Sequence, residues 1–114
     1  MTIVNLGSIN IDHIYTMPHL VTPGETLAAT SFQSALGGKG ANQSIAIARA
    51  GGTVFHGGMI NRKDEGWLKP MIDAGVDVAM VAHGDLPTGH AIVAVDDTTG
   101  ENQIILSPSS NNAV

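Results

Sequence analysis

Two short groups of residues in this chain could do chemistry. Asn10 and Asp12 stand two positions apart just beyond an apolar opening segment, and Gly37-Gly38-Lys39-Gly40-Ala41-Asn42 runs directly into the small, helix-favouring stretch Gln43 to Ala50. Glycines around a single lysine make a bend that side chains cannot obstruct. The bend leads into a helix N-terminus, where the first backbone N–H groups lack intrahelical partners. Such an end favours anionic or hydroxyl-rich ligands. A carboxylate such as Asp12 can accept from two hydroxyls at once, each bond charge-assisted. Asparagine, aspartate, lysine and a glycine-lined bend together suit a polyol better than a phosphate. The bend is not a Walker A loop, because no Ser or Thr follows Lys39, and G-x-G-x-x-G fails because Gln43 occupies the last position.

The elements that must position these groups follow from periodicity. Residues 2–7 read as a short buried strand, with Asn10 and Asp12 in the turn after it, at the carboxyl end where open α/β sheets bind ligands. A second short strand fits residues 12–16, Pro18, Pro23 and Gly24 break the chain, and residues 25–35 favour an exposed extended strand. A helix over 40–50 carries Ala41, Ile45 and Ala48 on one stripe and ends at Gly51-Gly52. Residues 53–60 read as a buried strand. Asp64 is the expected N-cap of a helix running to Ala74, stopped by Gly75, with Pro70 tolerated if the first turn starts late. Trp67 and Met71, at helical spacing, are expected in the core, and residues 77–82 make a third core strand. The β-α-β-α-β order predicts a parallel sheet covered on both faces. His90 to Asp96 and Gln103 to Ser107 then form a hairpin around residues 97–102, part of a separate β layer built from 12–35 and 88–107. Ser107-Pro108-Ser109-Ser110-Asn111-Asn112 reads as the approach to a further element.

Composition narrows the classes. The 114 residues are 43% hydrophobic and only 13% charged, so the chain is neither disordered nor highly solvated and expects cover from other protein. A net charge of −5 without a basic run argues against nucleic acid as a partner. Zero cysteines exclude disulfides and thiolate metal sites, and the five histidines (His13, His19, His56, His83, His90) show no metal-ligand spacing. The opening residues lack the pattern of a signal peptide and no apolar run approaches the ~20 residues needed to cross a bilayer, so the expectation is a cytoplasmic protein without a membrane partner.

Gly7-Ser8-Ile9-Asn10-Ile11-Asp12, then Pro23-Gly24-Glu25-Thr26, then Gly37 to Gln43 resemble the N-terminal signature of the ribokinase-like carbohydrate kinases, the phosphofructokinase-B family. Pro87-Thr88-Gly89, followed by a hairpin carrying Glu101-Asn102, is similar to the same family. The resemblance covers essentially the whole chain. It implies the N-terminal part of a Rossmann-type α/β sandwich with a β-sheet lid, acting in ATP- and Mg2+-dependent phosphorylation of a sugar hydroxyl, ribose or similar. The core would comprise roughly 2–7 and 40–82, and the lid 12–35 and 88–107. It further implies that Asp12 accepts hydrogen bonds from sugar hydroxyls with Asn10 beside it. Gly38, Lys39 and Asn42 would contact other hydroxyls, and Ile92 and Ile104 would cover the apolar face of the ring. No residue here matches the family's catalytic aspartate. Family members run to well over twice this length, so the C-terminal half, with that aspartate and nearly all of the ATP site, is expected to be absent and the fragment alone inactive. The family's G-x-V-G-x-D-x-x-G run falls on Gly58 to Gly66, with Asn61 in place of the second glycine and Lys63 in place of the acidic residue.

Two other readings stand beside this one. A non-catalytic sugar-binding or dimerisation module would use the open edges of the lid strands to form a homodimer. A nucleotide-binding Rossmann half ranks last for want of a fingerprint. A chain this small also leaves apolar surface without cover, which predicts marginal stability or oligomerisation.

Overall fold

A computed structural model describes residues 2–113. Two sheets divide the chain. The first is parallel, with strand β1 (Thr2–Leu6) and β5 (Val81–Gly84) flanking β4 (Thr53–Asn61). The second has four strands in the order β3 (Ser31–Gly37), β2 (Asn10–Met17), β6 (Gly89–Asp96) and β7 (Asn102–Ser107); β2 and β6 run parallel and the outer pairs antiparallel. Helices α1 (Lys39–Arg49) and α2 (Lys69–Ala74) pack together, and 3-10 turns cover Arg62–Leu68 and Ser109–Ala113.

The core lies between the helices and one face of the parallel sheet. Ile9, Ala41, Val54, Ile60, Leu68, Met71, Val76 and Val81 form one buried cluster, with Ile45 and Ala48 packed on it as the helical stripe requires. Val54, His56 and Ile60 alternate along β4 and face this cluster, as a period of two dictates. The opposite face, carrying Val4 and Leu6, is open among the described residues, and Leu6 is 68% exposed. The expectation of a sheet covered on both faces, with β1 buried in it, is therefore corrected: β1 is an outer strand with one covered face.

Other elements shift for local reasons. The segment 25–35 is mostly irregular, and β3 starts only at Ser31. Asp64 is not a helix cap. Asn61 caps the 3-10 turn by accepting from Lys63 N–H at 3.0 Å, while Asp64 Oδ2 accepts from the Thr88 hydroxyl at 2.6 Å. Helix α2 starts late, at Lys69, so Pro70 sits in the first turn where its missing N–H costs nothing, and Gly75 ends it at φ +102°. Asp77 makes an isolated bridge to Phe55, and the third core strand begins at Val81. Trp67 is half-buried while Met71 is fully buried.

Candidate functional site

The glycine bend is wedged against the loop that follows β1. Gly38, at φ +96°, lies against Ser8 O and Asn10 N, and a Cβ built on Gly40 would stand 2.5 Å from the Gly7 carbonyl carbon and the Ser8 nitrogen. Only glycine permits this approach. Ser8 then occupies the helix start: Ala41 N–H donates to Ser8 O at 3.0 Å and Gly40 N–H to Ser8 Oγ at 3.4 Å. The expectation of an open, ligand-seeking helix N-terminus is thus corrected, since two of its first amides are already taken.

A buried relay fixes the bend from behind. Asn5 Nδ2 donates to Gly40 O at 3.1 Å and to Ser44 Oγ at 2.9 Å; Ser44 Oγ lies 2.7 Å from His56 Nδ1, and His56 Nε2 lies 3.1 Å from Gly7 O. A carbonyl only accepts, so Nε2 carries the proton and Ser44 donates to Nδ1. Burial lowers the pKa of His56 below its ordinary 6.5, against the opposing pull of the Gly7 carbonyl.

Asn10 and Asp12 lie within β2 rather than in a turn, and as residues two apart they share a face of the four-stranded sheet. The bend feeds this face from β3: Gly37 pairs with Asn10, and the Asp12 carboxylate presses so closely on Gly37 that a Cβ there would overlap it. Burial raises the Asp12 carboxyl above its ordinary 3.8, with His13 pulling the other way. Perturbed carboxyls of this kind recur at binding and catalytic sites. A cleft of about 370 Å³ is lined by Asn10 and Lys39 together with Ser8, Leu106, Asn111 and Asn112.

Register decides the fate of the two isoleucines. Asp12 pairs with Ala91 and Ala91 with Leu106, so Leu106 shares the Asp12 face; Ile104, opposite Val93, shares it too. Ile92 pairs with His13 and Ile105 and points to the reverse face, so its expected place over the same ring is corrected. Asn42 is exposed in the first turn of α1, where its N–H donates to Gly38 O, and it does not line the cleft. Gly38 lies at the helix start, between Asn10 and Lys39.

Two residues escaped the sequence reading. Asn111 Nδ2 donates to Asn10 Oδ1 at 2.7 Å, and Ile9 N–H donates to Asn111 Oδ1 at 3.0 Å. Ser110 anchors that turn through bonds to Met59 O and from its own N–H to Pro87 O. A Ser-Ser-Asn-Asn run after a proline is the only local signal, and it points to a turn rather than to a partner about 100 residues away.

A cleft larger than the one at Asn10 and Lys39, about 470 Å³, opens on the reverse face between Ile11, His13 and His90 of the four-stranded sheet and Lys63, Asp64 and Trp67. Asn61 adopts ordinary extended backbone at φ −69° and ties this region together through Thr88 Oγ1 and the carbonyls of Asp85 and Leu86. No group of three His, Cys, Asp or Glu side chains among the described residues is placed to hold a metal ion. No helix among the described residues is long and apolar enough to cross a membrane.

Comparison with known proteins agrees with this architecture. The chain is 38% identical over 116 residues to a ribokinase of Haemophilus influenzae, covering 97% of this chain and 37% of that protein. A ribokinase from Cryptococcus neoformans, solved in complex with ADP, superposes with a TM-score of 0.85 at 38% identity, over 96% of this chain and 35% of the other. Arabidopsis thaliana ribokinase, complexed with ribose and ATP, gives 0.78 at 31% identity, over 96% and 36%. The chain therefore spans a little over a third of the length of these three relatives. Its two-sheet α/β architecture is that of the ribokinase fold, and the model of the pfkB family carbohydrate kinases matches it from residue 2 to 114: the chain belongs to that family.

Proposed function

We propose that this chain supplies the acceptor-binding portion and the lid of an ATP-dependent carbohydrate kinase that phosphorylates ribose or a similar sugar. The observation that carries the reading is the meeting of Asn10, Lys39 and Leu106 around one cleft, with Asp12 on the same face of β2. Asp12 accepts from sugar hydroxyls, Lys39 and Asn10 reach others, and Leu106 with Ile104 covers the apolar face of the ring. Gly38 brings the backbone close, and Asn42 joins from the first turn of α1 when the lid closes. Phosphoryl transfer depends on positioning and on keeping water from competing as the acceptor, and a lid does both. ATP is the proposed donor, with Mg2+ neutralising its phosphates.

Calorimetry with ribose tests the reading. The chain is expected to bind ribose and to show no ATP-dependent turnover by itself. Asp12→Ala should weaken binding roughly 10- to 150-fold, the value of about 1.5–3 kcal/mol for hydrogen bonds to a charged group. Undiminished binding by the variant would remove Asp12 from the site.

A second reading concerns assembly. The reverse face of the lid sheet exposes Phe32, Ile92 and Ile105, and β7 offers an unpaired edge among the described residues. Together they favour a homodimer through the lid strands. A melting temperature that rises with protein concentration, and stops doing so in Ile105→Lys, is the expected result.

A further inference from the structure

Hydrogen-bond logic around Asn10 carries one step beyond the sugar-binding reading, on which it rests. The Ile9 N–H is a backbone donor, so the Asn111 atom facing it at 3.0 Å must be the carbonyl oxygen. The other Asn111 atom is then the NH2 group, a donor only. It faces Asn10 at 2.7 Å, which fixes the atom there as Asn10 Oδ1. Asn10 Nδ2 has no partner among the described residues, and no buried polar side-chain atom is left unpaired, so this NH2 is open to solvent at the cleft that Asn10 lines. Orientation is thereby passed from a backbone amide through two side chains into the binding face.

Neighbouring residues are shaped to let this happen. A Cβ on Gly89 would overlap both Asn111 Nδ2 and Asn10 Oδ1, so the two amides meet over a bare backbone. The turn that carries Asn111 is held by the buried Ser110 through Met59 O and Pro87 O.

We propose that Asn111 is a positioning residue that locks the Asn10 amide with its NH2 toward the cleft, so that the site presents donors from Asn10 and Lys39 opposite the acceptor of Asp12. That pattern selects neutral vicinal hydroxyls. One hydroxyl donates to the Asp12 carboxylate while an adjacent hydroxyl oxygen accepts from Asn10. A flipped Asn10 would instead put two acceptors side by side.

Asn111→Asp tests this with an almost isosteric change. The introduced carboxylate still accepts from Ile9 N–H, but its second oxygen can only accept, which turns Asn10 around. In the ligand-free protein, NMR should find the Asn10 side-chain NH2 exchanging quickly with solvent and that of Asn111 slowed. In Asn111→Asp the Asn10 NH2 should become the slowed group. Ribose binding should weaken by at least about tenfold in Asn111→Asp and by less in Asn111→Ala, which leaves Asn10 free to rotate. A purely structural role would move stability but would not slow exchange of the Asn10 NH2. Should Asn111→Asp fail to fold, scalar coupling across the bond from Asn111 Nδ2 to the Asn10 carbonyl in the parent protein decides the orientation, and coupling in the reverse sense overturns the lock. Equal ribose binding by the parent and Asn111→Asp overturns the role of Asn111 alone. If ribose shifts no cleft resonance of the parent protein, the sugar reading itself fails, and this role with it.

Discussion

The two sheets differ in how much of their apolar surface is covered. The parallel sheet hides its own on one face beneath α1 and α2, where Val54, Ile60 and Met71 are at most 1% exposed. The lid sheet leaves Phe32, Ile92, Ile104, Ile105 and Leu106 open, divided between a face bearing Asp12 and a face bearing His13. Stability therefore resides in the first sheet. The second leaves apolar side chains exposed on both faces. Where the two meet, at Gly7, Gly38 and Gly40, backbones touch without side chains and the candidate site is assembled.

Substitutions should separate the two regions. Met71→Ala is expected to cost about 2–5 kcal/mol, because a buried side chain leaves a cavity. Ile104→Ala, exposed on the Asp12 face of the second sheet, should stay within about 0.5 kcal/mol by chemical denaturation. Equal losses would erase the distinction. Gly40→Ala sets a methyl group into the Gly7–Ser8 backbone and should cost about 1–3 kcal/mol while also weakening ribose binding; a neutral outcome would mean that the close approach is dispensable.

A smaller effect depends on pH. His56 holds a proton less tightly when folded than when unfolded, so the unfolded chain binds more protons as pH falls through 6.5. Stability from this source is complete above that value and declines below it. Melts at pH 7.5 and 5.5 should show the decline in the parent protein and lose most of it in His56→Gln. Asp12 works in the other sense: its raised pKa costs stability at neutral pH, and the cost is relieved only in the acid range nearer 3.8. The two contributions therefore have opposite signs.

Much of this was legible in the residues. The helix 40–50 was fixed by its apolar stripe and its glycine stop, and the hairpin of β6 and β7 by alternation around a polar loop. The glycine bend and the pair Asn10/Asp12 were visible because unusual residue types stood close together. Other features depend on tertiary facts that have no local trace. A one-residue difference in register sends Ile92 away from Asp12, and no periodicity in β6 alone reports which face meets the cleft. Asn111 acts on Asn10 across 101 positions, so its role becomes visible only when both ends are folded. Asp64 has the character of a helix cap, but Asn61 reaches the turn first and Thr88 claims the carboxylate.

The central claim is that the sugar lies against the Asn10/Asp12 face of the lid sheet, beside the lysine bend. Mapping backbone and side-chain resonances during a ribose titration tests it most directly. The account predicts shifts at Asn10, Asp12, Gly38, Lys39 and Leu106, with His13, His90 and Trp67 unmoved. Shifts confined to those last three would contradict it, since they would put the ligand in the larger cleft on the reverse face.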